Sequence, residues 1–322
     1  MDRGGRRDRD GTRGAGPRPG DGLIHRLAGY VAGSYPPKAY VPYAVTWAFG
    51  GTAVCAVTDR RVDGWLPDVG VLVSAVTLLV TLLMMRALDD IRDLPYDREH
   101  NPQRPLARGV VSVRDLGVLI AAGTVLVLAL NAWRPSVLAV LAAVLAYAFA
   151  LLWADQKLRW PAGDALLLGF VVNFPVQLAV NGFLYAGLLH ATGLGPSWSG
   201  VAGMVVSALA FLHLEFGRKT TRTPRPGERT YSQPLGGSTV GGLAVGAALA
   251  SVALLLAVTA GDRAPWWPVW LAALPLALPA LAAVRFWRDD QPRWSYPSAA
   301  MFLLGTFTVF QVISLAQEVV AG

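Results

Sequence analysis

Charge is scarce in this 322-residue chain. Asp, Glu, Lys and Arg together make up 15% of it, where a soluble domain carries roughly 25%. Hydrophobic residues reach 54% and mean hydropathy is +0.44, which excludes an ordinary soluble enzyme. Cysteine is nearly missing: Cys55 alone rules out a disulfide framework and any cysteine-based metal site. The four histidines never fall in a paired ligand spacing, which argues against a zinc centre. Also absent are the phosphate-binding G-x-x-x-x-G-K-Ser/Thr loop, the G-x-S-x-G elbow, a dinucleotide fingerprint and any sequence repeat strong enough to use. The formal charge is +7, yet no basic groove with interleaved aromatics appears, so nucleic acid is not an expected partner.

What is present is length of apolar run. Several runs reach the roughly 20 residues that span a bilayer, and backbone in lipid must satisfy its own polar groups, so these are helices. Nine spans are expected, at 41–58, 69–88, 116–133, 136–154, 164–187, 199–216, 238–260, 267–286 and 298–319. Trp266, Trp267, Trp270, Trp287 and Trp294 sit near span ends, as interfacial aromatics do. Residues 1–22 are Gly, Arg, Asp and Pro with almost nothing apolar, and read as disordered. No apolar run follows them directly, so they do not read as a signal peptide. Residues 23–33 are too short to span and read as an amphipathic interfacial segment. The expected organisation is an arm with its interfacial segment over 1–37 and an all-α polytopic domain over 38–322. Counting Lys and Arg gives 22 on one side of the membrane and four on the other, with Arg86 and Arg285 at the ends of the second and eighth spans. The positive-inside rule then puts the N-terminus in the cytoplasm and the C-terminus outside a cell membrane crossed many times.

Two loops on the expected cytoplasmic side carry chemistry. The first, 89–109, holds Asp89, Asp90, Asp93 and Asp97 at the end of the second span. Positions 90, 93 and 97 fall on one helical face, with Pro95 ending or kinking the helix. Carboxylates this close repel unless a cation gathers them, and carboxylate oxygens with water suit Mg2+ shared with substrate phosphates. The same loop carries Arg92, Arg98, Arg104 and Arg108, whose guanidinium forks match phosphate oxygens. A solvated loop with ordinary salt bridges is the bland alternative. The second loop, 215–232, begins with Glu215 and continues with Arg218, Lys219 and Arg222. Positive-inside topology accounts for its sign but not for Glu215 after an apolar helix, nor for His213 two residues earlier. A Mg2+ carboxylate from Glu215 and phosphate contacts from Arg218, Lys219 and Arg222 are expected.

Weaker features complete the inventory. Lys157 and Arg159 end the fourth span and serve either topology or a further phosphate contact. Asn173, Gln177 and Asn181 recur every four residues in the fifth span, a polar stripe that either bonds a neighbouring helix or lines a substrate cavity. Gln311 in the last span reads the same way. Gly236, Gly237, Gly241, Gly242 and Gly246 are expected to permit close helix packing.

The first loop resembles the UbiA superfamily of intramembrane prenyltransferases, whose motif reads N-D-x-x-D-x-x-x-D followed by R-P-L-x-x-G. The matching stretch is Asp89-Asp90-x-x-Asp93-x-x-x-Asp97, then Arg104-Pro105-Leu106-x-x-Gly109. Asp89 stands where the family usually has Asn. Nine helices and the cytoplasmic position of the loops agree with the resemblance over nearly all of 38–322. The second motif departs: the family's D-x-x-x-D is Glu215-x-x-x-Lys219 here, so Lys219 is expected to hold diphosphate without a second metal. The resemblance implies nine helices around a central apolar cavity that opens near the cytoplasmic side. It implies Mg2+-dependent ionisation of a prenyl diphosphate, with Asp90, Asp93, Asp97 and Lys219 at the reaction centre. The cation is then captured by a lipophilic, often aromatic, acceptor. A terpene cyclase, in which the substrate's own double bond captures the cation, is the second reading. A transporter is the third, and it fits less well, because transporters place their sites near the midplane.

Overall fold

A computed structural model describes residues 22–62, 64–161, 165–225, 228–260, 267–288 and 291–321. The arm before Gly22, together with Asp164 and Trp266, lies outside the described residues. Nine helical segments among the described residues are long and apolar enough to cross a bilayer, and the chain is a multi-pass membrane protein. They are α2 (Pro37–Thr58), α3 (Val69–Arg92), α5 (Val113–Asn131), α6 (Pro135–Leu158), α7 (Leu166–Thr192), α8 (Trp198–Arg218), α10 (Gly237–Ala260), a 3-10 helix (Trp267–Leu276) continued by α11 (Ala277–Trp287), and α12 (Tyr296–Ala321). Shorter helices are α1 (Leu23–Ser34), α4 (Leu94–His100) and α9 (Ser232–Leu235). All nine expected spans are found. The eighth begins as a 3-10 helix that contains Pro268 and Pro275, residues without the N–H an α-helix interior needs.

Local chemistry sets several helix starts. Asp68 accepts from the Val71 N–H, Ser197 from the Gly200 N–H, and Ser112 forms a capping box with Asp115. Packing then centres on α2, which touches α3, α7, α8 and α12. Small residues let backbones approach: a Cβ on Gly50 would collide with the Phe307 carbonyl, and one on Gly203 would stand 2.9 Å from Cys55 Cα. The glycines in and just before α10 divide in a way their spacing does not reveal. Gly237 and Gly241 face Thr221 and Phe286, whereas nothing lies within 4 Å of a Cβ at Gly236, Gly242 or Gly246.

Three expectations change. Trp294 is buried against Phe286, with ring centroids 5.7 Å apart, and is no interfacial anchor. His213 is buried, donates from Nδ1 to the Ala244 carbonyl at 2.8 Å and packs on Phe302, so it joins α8 to α10 and α12 and has no ligand-facing role. The segment before the first span is not a free interfacial helix. Arg26 in α1 makes a two-pronged bond to Asp115 at 3.1 and 2.7 Å, Tyr30 is buried, and Gly33 lies against Pro105. α1 therefore belongs to the folded domain.

Burial along the helices locates an open region. In α7 no residue from 166 to 179 is buried, whereas seven of those from Val180 to Leu188 are. In α2 only Ala44 is buried before Trp47, and from Trp47 to Thr58 every residue but Phe49 is. α2 and α7 are thus packed in one half and open in the other, the half that carries both motif loops, whereas α3, α8 and α10 have buried residues along their whole length.

Candidate functional site

The aspartate loop is built across a helix break. α3 runs to Arg92, so Asp89 and Asp90 are in its last turn, and Asp93 closes it with its N–H on the Asp89 carbonyl. α4 restarts with Pro95 in its first turn, where the missing N–H costs nothing. The expected single face of Asp90, Asp93 and Asp97 is not what forms. The four carboxylates divide into two pairs. Asp90 and Asp97 are buried, with side chains 2% and 3% exposed, and both lie near Arg104, at 3.7 and 2.6 Å. Asn101 also donates to Asp97 at 2.9 Å. Asp89 and Asp93 reach the opening, with side chains 51% and 25% exposed, and share Arg92 at 2.9 and 3.5 Å. Asp89 and Asp93 are one turn apart at the end of α3, whereas Asp90 and Asp97 lie on either side of the break and meet at Arg104.

Two partners, Tyr30 and Arg229, come from far away in sequence, and a third, Arg86, is one turn back on α3. The Tyr30 hydroxyl donates to Asp90 Oδ2 at 2.9 Å, and Arg86 pairs with Asp90 Oδ1 at 2.7 Å. Arg229 donates to Asp93 at 3.1 Å and lies over the Tyr96 ring at 4.2 Å, which ties the second loop to the first. Burial and the neighbouring Asp90 carboxylate push the Tyr30 phenol up, so it stays a donor.

In the second loop, Glu215 Oε2 accepts from Arg218 at 2.6 Å, and its Oε1 pairs with Lys219 at 2.8 Å and accepts from Tyr231 at 2.7 Å. Lys219 also donates to the Tyr231 hydroxyl at 3.1 Å and sits 4.6 Å above its ring. Burial pulls the Lys219 ammonium down, with Glu215 opposing. Burial and Glu215 push the Tyr231 phenol up. The Arg229–Asp93 bond places the two loops around one mouth.

The remaining expected residues are placed as follows. Arg108 is exposed on the turn before Gly109, and Lys157 is exposed at the end of α6. Arg222 is committed elsewhere: its guanidinium bonds the Phe286 carbonyl and covers that ring, and its backbone N–H bonds Pro292. It fastens the loop to the end of α11, a correction to the diphosphate contact expected of it. Asn173 is exposed and donates to the Gly169 carbonyl of its own helix at 2.6 Å, and among the described residues it bonds no neighbouring helix. Gln177 is half-buried, with a buried Nε2 that has no partner among the described residues. Asn181 accepts from Trp47 Nε1 at 3.0 Å, the helix–helix bond that a polar stripe allows. Tyr30, Arg86, Arg229 and Tyr231 were not singled out by sequence. Arg86 is four residues from Asp90, a spacing that pairs side chains on a helix; the other three have no such local signature.

Among the described residues, no three of His, Cys, Asp and Glu gather closely enough to hold a metal ion unaided. Each carboxylate has a cation of its own instead. The donor set still suits Mg2+, which is bound through one or two carboxylates plus phosphate oxygens and water. Asp90 Oδ1 is buried and has no hydrogen-bond donor in good geometry despite the nearby Arg86, and the Asp89 carboxylate is half open. The residues therefore fit a metal that arrives with phosphate oxygens.

Fold and mouth together define a polytopic helical membrane protein with acidic and basic loops paired over the open halves of α2 and α7, and this is the fold of UbiA homologues. A UbiA homologue from Aeropyrum pernix K1 superposes with a TM-score of 0.55 at 19% identity, over 87% of this chain and 97% of that one. A digeranylgeranylglyceryl phosphate synthase superposes with a TM-score of 0.56 at 14% identity, over 90% of this chain and 99% of that one. No protein-family model matches the sequence, and comparison with curated proteins finds no significant match.

Proposed function

We propose that this chain is a UbiA-type membrane enzyme that ionises a prenyl diphosphate at the mouth and transfers the prenyl group to a lipophilic acceptor. The observation that carries the reading is the junction of both charged loops over the open halves of α2 and α7. A prenyl diphosphate has the matching form, a charged head on an apolar tail. Asp89 and Asp93 would hold Mg2+ from the open side, with Asp90 and Asp97 beneath and Glu215 across the mouth. Bound Mg2+ would neutralise charge building on the leaving diphosphate. Arg104, Arg218, Arg229 and Lys219 lie around the same mouth and would exchange their present carboxylate partners for diphosphate oxygens. Arg108 and Lys157 would reach only the outer edge. An apolar lining would keep water from the allylic cation.

Purified protein in lipid nanodiscs should release pyrophosphate from farnesyl or geranylgeranyl diphosphate when Mg2+ is present, and excess chelator should stop it. Turnover that persists in chelator would sink the metal assignment. A cyclic hydrocarbon or alcohol formed without any acceptor would select the cyclase reading.

Tyr30 gives a further expectation. Tyr30→Phe removes one donor from Asp90 without changing the shape of the ring. Loss of a group that orients a ligand costs about 10- to 100-fold, so turnover should fall by that much, and folding stability by about 1–3 kcal/mol because the buried Asp90 Oδ2 loses its donor. Unaltered turnover would make α1 a purely structural element.

A further inference from the structure

The open stretches of α2 and α7 end at one level. α2 and α7 pass from open to packed at Trp47 and at Val180–Asn181, and the Trp47–Asn181 hydrogen bond joins the two helices at that level. The Trp47 indole lies 4.3 Å from the Phe211 ring, which lies 5.5 Å from Phe307. All three are buried, so α2, α8 and α12 contribute to one aromatic layer and Asn181 ties α7 to it. Above it on α7, Gln177 carries its unpartnered amide, and at the mouth Phe170 packs 5.8 Å from Tyr231.

We propose that Trp47, locked by Asn181, is the floor of the tail-binding space and sets the longest prenyl chain taken, a reading that rests on the prenyl-diphosphate function above. The depth follows from α7. Phe170 marks the mouth and Asn181 the floor, and the eleven residues between these levels span about 17 Å at a rise of about 1.5 Å each. An extended carbon chain, with bonds near 1.5 Å set in a zigzag, advances about 1.3 Å per bond. A 15-carbon prenyl group, with twelve atoms in its main chain, is then about 15 Å long, and a 20-carbon group, with sixteen, about 20 Å. The first fits upright, and the second meets the indole and has to fold. Interiors packed like crystals do not yield a further five-carbon unit without strain.

The test is a competition among geranyl, farnesyl and geranylgeranyl diphosphates, with products read by mass spectrometry. Binding of the matching non-hydrolysable thiolodiphosphates provides a readout that needs no turnover. Wild type should favour the 15-carbon substrate. Trp47→Ala should raise the 20-carbon to 15-carbon ratio of kcat/KM about tenfold or more, the scale on which a pocket discriminates chain length. Phe211→Leu, a milder change in the same layer, should move it the same way if Trp47→Ala does not fold. Gln177→Phe, one turn nearer the mouth, should shift preference towards the 10-carbon substrate. An active wild type whose profile none of these variants moves would overturn the floor and leave the function standing. A wild type that neither binds nor ionises any of the three would overturn both.

Discussion

Asp93→Ala should insert and fold normally and lose turnover by about 10²- to 10³-fold or more, the scale of removing one preorganised charge contact from a transition state. The variant is a clean one. Its partners Arg229 and Arg92 are about one-third exposed, so water replaces the lost carboxylate at little cost. Asp90→Ala should abolish turnover as well but is harder to interpret. It leaves the buried Tyr30 hydroxyl without its acceptor and Arg86 without its counter-ion, and an unsatisfied buried donor costs about 1–3 kcal/mol. Asp90→Asn retains an acceptor for Tyr30 and separates charge from packing. Pyrophosphate release, normalised to the folded fraction on size exclusion, measures all three. Near-normal rates in both Asp90 and Asp93 variants would remove the basis for a metal-assisted ionisation.

Lys219→Asp should raise the apparent KM for prenyl diphosphate and the Mg2+ concentration needed for half-maximal rate. Lys219 is already half-desolvated between Glu215 and the Tyr231 ring, so an incoming diphosphate meets an ammonium that has lost much of its water. A hydrogen bond to a charged group of about 1.5–3 kcal/mol corresponds to about 10- to 100-fold in KM. The reversed charge would also set a second carboxylate beside Glu215, where only Arg218 would remain to neutralise the pair. Lys219→Met, which keeps Glu215 paired with Arg218, should raise KM without raising the Mg2+ requirement. If Lys219→Asp leaves both dependences unchanged, Lys219 serves membrane topology alone.

These expectations join residues of two kinds. Asp89, Asp90, Asp93, Asp97, Glu215 and Lys219 were legible from sequence, because charge directly after an apolar span stands out against its surroundings. Tyr30, Arg229 and Tyr231 were not, because each is ordinary in its own stretch and gains meaning only from a partner 60, 136 or 16 residues away. The same limit explains His213 and Arg222. Both have the right chemistry in or just before the right loop, yet folding directs one into the α8–α10 contact and the other onto the end of α11.

The chain's order of residues determined nine spans and two charged loops, since a helix in lipid must close its own hydrogen bonds and its length is set by the bilayer. Those are local requirements, and local composition answers them. Only the tertiary structure decided which carboxylates face the opening, which cations hold them, and where Trp47 and Asn181 end the open space. Charge pairing and packing depend on distances between segments, and those distances exist only once the helices have come together.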